Sequence, residues 1–330
     1  MIEQLTTADQ SLLSLIDTPD FMSQTCLVDL DHYGLVGVEG PDAAKFLQGQ
    51  VTCDVRELAN GVTRLGAQCN IKGRMLVSFR ALQLDEQRIL LRMHHSLIEK
   101  ALASFGKYIV FSKAKLHDRS NHYRRIGISG PAAESLLHAA LGTVPKQEGN
   151  WVAAGDHIII KLDQQRYECW LAANAEAVIA TLSPHTVAAA ENLWTLLDIR
   201  AGIGEVRAES YEMFTPQALN YQLVEAINFR KGCYTGQEIV ARLHYRGALK
   251  RHMYRISFAA GEDILPPPGS VINNSEGKAI GDIVMAAYSN PQQAEALANL
   301  IDEQLADAWL GPKKLEHLSL PYAIPREEKA

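Results

Sequence analysis

Two stretches ninety residues apart constrain the fold of this chain more than any other feature. "VGVEGPDAAKFL" (36–47) and "IGISGPAAESLL" (126–137) align on Gly37 and Gly127, Gly40 and Gly130, Pro41 and Pro131, Ala43 and Ala133, and Leu47 and Leu137. Each reads as a short strand, a glycine turn, and a helix with proline at its first position. Proline fits there because its missing N–H has no helical partner to lose. The apolar positions that follow suit one helix face. After the first copy come "RLGAQCNIKGRMLVSFRALQL" and "QRILLRM", which predict a hairpin turning near Lys72-Gly73 and a further strand, then the helical "SLIEKALASFGKY". After the second come "DHIIIKL", "RYECWLAA" and the helical "AEAVIATL". Strand–Gly-Pro–helix is a common device, but two copies followed by the same β-α-β-β-α order favour a duplication. The chain is therefore expected to be α+β, with two ferredoxin-like units whose antiparallel sheets are covered on one face.

The remainder differs in texture. "NLWTLLDIRAGI" predicts a helix over 193–200 ending at Gly202, and the chain is irregular from there to residue 223. Beyond Gly247, "HMYRISF" alternates like a strand. The three prolines of "ILPPPGS" exclude a central strand, and a hairpin turn is expected at Ser275–Gly277. This suggests a small C-terminal β-domain. "AEALANLIDEQLADAWLG" is ambiguous: its spacing suits a helix, its neighbours are strands. A length of 330 residues suggests two or three domains.

Composition excludes several classes. Hydrophobic residues make up 47 % and charged residues 21 %, enough to bury a large core. The start "MIEQLTTADQ" has no apolar core of a signal peptide, and no apolar run approaches the roughly 18 residues of a membrane span. Five scattered cysteines (26, 53, 69, 169, 233) form neither a disulfide framework nor a C-x-x-C metal site, so a reducing cytoplasm is expected. "AGIGE" lacks the third glycine of a dinucleotide loop. His94 and His95 would face opposite ways in a strand, and no H-E-x-x-H or G-x-S-x-G occurs.

The stretch that asks for chemistry is "KGCYTGQE" (231–238). Thr235 and Glu238 have the spacing of a capping box, which makes Glu238 structural rather than an acid or base. The helix is then expected to run to Gly247. Cys233 precedes that helix start. Helix N-termini and cations such as Arg230 and Lys231 favour a thiolate, and the flanking Gly232 and Gly236 permit close backbone approach. The alternative is a small buried hydrophobe. Charge is concentrated here too. Residues 229–255 contain seven Lys or Arg (230, 231, 242, 246, 250, 251, 255) against Glu238, a local +6 in a chain whose net charge is −6. Such a segment is either a solvated face or a site for an anion, RNA included.

The same residues carry a family resemblance. "KGCYTGQE" with "VARLHYRG" resembles the signature of the YgfZ family, and "FLQGQVTCDV" (46–55), "CNIKGRML" (69–76), "KYIVFSK" (107–113), "NLWTLLDIRAGI" (192–203) and "LSLPYAI" (318–324) extend it over about residues 30–322. That family is similar to the aminomethyltransferase (T-protein) of glycine cleavage. The resemblance implies a three-domain ring, with two ferredoxin-like units and a C-terminal β-barrel, around a central folate channel. The implied domains are 1–120 with 188–248, then 121–187, then 249–330. It also favours strands over 296–301. It implies folate (tetrahydrofolate or a derivative) as cofactor, with Trp194 and Tyr33 as its aromatic contacts. Arg230, Lys231 and Arg246 are placed to hold folate carboxylates or RNA phosphate, and Cys233 and Lys231 to carry the function. Implied partners are iron–sulfur radical enzymes that modify tRNA, and tRNA itself through the basic segment 230–255, with no membrane. The T-protein pattern N-x-x-G-G-x-x-D-D departs here: Val77 and Ser78 stand where its acids stand, and neither can serve as a carboxylate base. An accessory role in tRNA methylthiolation and iron–sulfur maintenance is thus expected, a folate-dependent one-carbon transferase being the alternative. Whether the protein turns over a substrate stays open.

Overall fold

Both glycine–proline junctions of the repeat form, and by the same device. Gly40 sits at φ +134° and Gly130 at +131°, where L side chains are strained. A Cβ on Gly40 would stand 2.3 Å from the Lys113 carbonyl oxygen, and one on Gly130 2.3 Å from that of Gln24. The computed structural model describes residues 24–172, 174–245, 247, 249–260 and 264–325. The opening "MIEQLTTADQ" and Arg246 lie outside the described residues.

Strand β1 (Cys26–Asp29) precedes the first repeat, which runs β2 (Tyr33–Glu39), α1 (Ala43–Gln48), β3 (Arg64–Cys69), β4 (Met75–Asp85), β5 (Arg88–His94), α2 (Ile98–Ile109) and β6 (Lys115–Asp118). The second runs β7 (Arg124–Ser129), α3 (Ala133–Leu141), β8 (Trp151–Ala154), β9 (His157–Lys161), β10 (Arg166–Leu171), α4 (Ala175–Leu182) and β11 (Val187–Ala189). The same order recurs in both copies, with three strands between the helices where β-α-β-β-α was expected: β3 and β8 are the additional ones. The chain divides into two compact units. One comprises the described residues up to Phe46, Val55–Arg64 and Arg80–Trp194; the other comprises Leu47–Asp54, Leu65–Phe79 and the described residues from Thr195 on.

In the first unit, β4 (through residues 80–85), β5, β2 and β6 lie in that order, all antiparallel, which is the ferredoxin-like arrangement. The other sheet has the order β11-β1-β7-β10-β9-β8. Here β1 pairs antiparallel with β7 and parallel with β11, taking the place beside β7 that β6 takes beside β2. The strand that precedes each repeat therefore completes the sheet of the other repeat. A second departure from expectation concerns coverage: the sheet of the second repeat is buried on both faces. Ile158 and Ile160 of β9 join Leu35, Leu82, Leu90 and Trp170 in one core. Ile159 points the other way, into a core with Leu137 of α3 and Leu182 of α4. Side chains alternate along a strand, so an unbroken isoleucine run is what a doubly covered strand requires.

His94 and His95 also depart from expectation. His94 ends β5 and His95 begins the next turn, so the rings stack at 4.9 Å and 29° instead of facing apart. No cluster of His, Cys, Asp or Glu among the described residues is arranged to hold a metal.

The second unit contains α5 (Glu191–Arg200) from Thr195 onward, then α6 (Gln237–Tyr245). Its strands are β12 (Arg251–Ala259), β13 (Val271–Asn273), β14 (Ala279–Asn290), β15 (Gln293–Ile301), β16 (Trp309–Leu310), β17 (Lys313–Lys314) and β18 (Glu316–Leu318). They form one sheet, β17-β16-β13-β14-β15-β12-β18. It curls into a nearly closed barrel: Lys313 of β17 donates from Nζ to the carbonyl of Ala260, just past β12, at 3.2 Å. Residues 293–301 are strand, not helix. Ala294, Ala296, Ala298 and Leu300 alternate into the barrel core, a period of two that the apolar residues between them obscure in the sequence. The tail "LSLPYAI" laces back, its Tyr322 hydroxyl donating to the Gly202 carbonyl at 2.7 Å. No helix of the described residues is long and apolar enough to cross a membrane, which says nothing of membrane β-barrels.

Candidate functional site around Cys233

Three of the sequence motifs converge in the second unit. Segments 46–55 and 231–238 are joined by a run of hydrogen bonds from residues on both sides. Thr52, fully buried, donates from Oγ1 to Ala226 O at 2.7 Å and accepts there from Ala67 N–H at 2.9 Å. Asn228 N–H donates to Thr52 O at 2.9 Å, and Thr235 N–H to Gly49 O at 3.4 Å. Lys231 is only 6 % exposed. Its ammonium donates to the carbonyls of Val51 and Cys53 at 2.6 and 2.7 Å and lies 5.2 Å from the Tyr234 ring. Two carbonyl oxygens aimed at one buried cation make Lys231 a clamp between the two motifs.

The third motif, 69–76, packs beneath the helix start. Gly236 sits at φ +83°, and a Cβ there would stand 2.4 Å from Asn70 O. This changes the cap. The helix begins at Gln237 rather than after a Thr235 cap, and the side chain reaching back is that of Gln237, whose Oε1 accepts from Tyr234 N–H at 3.3 Å. The predicted Thr235–Glu238 box is out of register because the Gly236 backbone, held against Asn70, leaves the helical region just before the helix.

On this scaffold Cys233 is exposed, while Cys26, Cys53, Cys69 and Cys169 are buried. Burial pushes the Cys69 thiol up to about 12 and the Cys26 thiol up to about 11, and raises Cys169 further. Burial, then the neighbouring Cys69, likewise raises the Tyr234 hydroxyl. These groups are protonated at neutral pH and serve packing. Arg230 is exposed, its backbone N–H donating to Asn228 Oδ1 at 2.8 Å. Gly232 has open space where a Cβ would be. Val77 is fully buried, and Ser78 Oγ accepts from Val206 N–H at 2.8 Å. Val77 and Ser78 thus both serve the interior.

The two aromatic candidates belong to the first unit. Tyr33 is 2 % exposed, with the Arg92 guanidinium 3.8 Å from its ring centroid. Arg92 in turn pairs at 3.1 Å with the fully buried Glu168, which also accepts from Trp170 Nε1 at 2.7 Å. Trp194 is fully buried. A Cβ on Gly127 would stand 2.3 Å from its Cζ3, and the Arg166 guanidinium lies 5.7 Å from its ring. Its indole Nε1 is buried without a hydrogen-bond partner among the described residues. Arg92 and Glu168 carry no signal in the sequence, since they lie in different repeats with no spacing to link them. Thr52 carries none either, although it stands inside the motif 46–55.

The basic segment is divided in the structure. Lys231 is clamped, Arg251 faces Asp282 at 3.8 Å, and Arg255 shares Glu295 with Arg200, at 2.7 and 2.9 Å. Arg230, Arg242 and Lys250 are exposed.

Comparison with known proteins agrees with this architecture. Residues 20–155 match the family model described as the GCVT N-terminal domain. The chain is similar to the tRNA-modifying protein YgfZ of Photobacterium profundum, at 35 % identity over 92 % of this chain and 94 % of that one. It is similar to that of Yersinia pestis strain Pestoides F at 30 % identity over 92 % and 94 %. Among solved structures, the glycine cleavage system aminomethyltransferase T from Bartonella henselae superposes with a TM-score of 0.73 at 18 % identity, covering 96 % of this chain and 90 % of that one. At that identity the likeness establishes the fold.

Proposed function

The chain belongs to the YgfZ family, and from that premise we propose that it is a folate-binding accessory protein of tRNA modification, acting in the cytoplasm. It would support iron–sulfur radical enzymes of the methylthiolating kind. The observation that carries this reading is an exposed cysteine on a loop clamped by Lys231, in a T-protein fold whose acidic positions hold Val77 and Ser78. The scaffold is kept while the catalytic carboxylates are absent, which disfavours one-carbon transfer of the glycine cleavage type.

The residues present fit a folate in one respect: the buried Trp194 indole N–H has no acceptor among the described residues, as a donor awaiting a ligand's polar edge would. Tyr33 does not offer a ring face, being 2 % exposed with the Arg92 guanidinium over it. The family resemblance assigns the carboxylates of the glutamate tail to Arg230 and Arg246, of which Arg230 lies among the described residues and is exposed. The three-domain division at 120/121, 187/188 and 248/249 belongs to the same reading. Folate, when bound, supplies a one-carbon carrier. Cys233 then serves as a nucleophile, a redox thiol or a transient ligand to a partner's cluster, since one cysteine does not hold a cluster that takes four thiolates.

Two measurements test this. Calorimetric titration with tetrahydrofolate should give saturable binding, and its absence would remove folate from the function. In a strain lacking the family member, wild-type protein should restore methylthiolated nucleosides in bulk tRNA and Cys233→Ala should not. Full restoration by the alanine variant would sink the role of the thiol.

A further inference from the structure

Beside α6 the second unit contains an open cleft of about 570 Å³. Its rim carries Lys72 and Arg74 from the β3–β4 turn, and Lys250 and Arg251 from the entry to β12. One carboxylate, Asp282, opposes them. Burial raises its pKa, and Arg251 lowers it in part. The floor is apolar, with Met213, Ile239 and Leu243 among its residues. At the lip the turn exposes Ile71, which is 78 % accessible.

We infer that this cleft is an RNA-binding site, which takes the phosphodiester backbone on its cationic rim and a nucleobase against its apolar floor. The inference rests on the tRNA reading above and supplies it with a contact surface.

Three observations carry it. First, the rim is concave and predominantly cationic. Four cations against one acid in a low-dielectric cleft focus a positive potential, whereas the same charges on a convex face would be screened by solvent. Second, the rim is built. Asn70 Oδ1 accepts from the N–H groups of Lys72 and Arg74 at 2.9 and 3.0 Å, and Asn70 Nδ2 donates to Glu212 Oε1 at 2.8 Å. Arg74 itself donates to the Met213 carbonyl. The turn that presents the two cations is therefore fixed before any ligand arrives. Third, the pairing of cations with an apolar floor suits a nucleotide better than a bare anion. Phosphate takes the charge, and an unstacked base takes the apolar surface. The linear basic segment is not itself the site: Lys231 and Arg255 are engaged elsewhere, and Lys72 and Arg74, distant in sequence, replace them.

The test is fluorescence anisotropy of the full-length protein with a labelled tRNA transcript lacking modified bases, at graded salt. A Lys72→Glu/Lys250→Glu variant is compared with a Lys107→Glu/Lys113→Glu control in the first unit, each checked for native melting. Each phosphate that is no longer neutralised should lower the slope of log affinity against log salt by roughly 0.7–0.9. The cleft variant should therefore fall by about 1.4–1.8 in slope and at least about tenfold in affinity, the control by neither. Equal binding by wild type and cleft variant overturns the site. So does binding of a labelled pentaglutamate peptide that the cleft variant abolishes while its transcript binding is kept, which would assign the cleft to a folate tail. A wild type that fails to bind the transcript but still restores tRNA modification in the deletion strain overturns the cleft inference and leaves the accessory role standing.

Discussion

At the scale of single residues, Lys231 and Cys233 divide the labour of one motif. The Lys231 ammonium donates to two carbonyls from a segment about 180 residues away, so Lys231→Met removes a charged donor from both and the tie between the two segments. We expect a loss of about 2–3 kcal/mol in urea unfolding, with tRNA modification reduced in step with folded protein. Cys233 is exposed, and Cys233→Ser should change stability by less than about 0.5 kcal/mol while abolishing modification. If the lysine variant unfolds at the wild-type urea midpoint, the clamp is not what holds the loop. Sequence reasoning could single out both residues but not tell them apart. A lysine beside a cysteine reads as its electrostatic helper, because the carbonyls of Val51 and Cys53 leave no trace in side-chain identity.

At the scale of elements, the glycine–proline repeat was fully legible and its strand pairing was not. Gly40 and Gly130 mark turns that any reading of the sequence finds. That β1, which precedes the first repeat, pairs with β7, about a hundred residues on, has no local signature, because a four-residue strand carries little register of its own. The shared device makes a paired prediction. Gly40→Ala and Gly130→Ala each force a Cβ to 2.3 Å from a carbonyl oxygen at a φ near +130°. Each should cost about 2 kcal/mol or more, and the two by similar amounts. Gly106 lies inside α2, and a Cβ there would meet nothing within 4 Å. It should behave oppositely, Gly106→Ala stabilising by about 0.5–1 kcal/mol. Thermal melts of the three variants decide it. A Gly130→Ala protein as stable as wild type would mean that the second repeat does not use the turn of the first.

At the scale of the whole molecule, the distribution of cysteines joins stability to reactivity. Four of the five are buried and one is exposed, so a thiol reagent at pH 8 should label one cysteine per native chain and all five after unfolding. The same burial fixes the sign of the alkaline pH dependence. Cys26 and Cys69 are raised in the fold from an ordinary 9.0 to about 11 and about 12, and Tyr322 from 10.0 to about 12. In each case the unfolded chain releases its proton first. Stability should therefore be fully present below pH 9, and should fall as pH climbs from 9 through the folded values. Urea midpoints at pH 7, 8 and 10.5 test this: the first two should agree and the third should drop, whereas a midpoint unchanged at 10.5 would mean that these groups titrate alike in both states. The cysteine count alone suggested a reducing compartment and no more. Which thiol is free to react follows from the packing inside each unit, which encloses the other four, and that packing leaves Cys233 as the thiol available at neutral pH for whatever the protein meets.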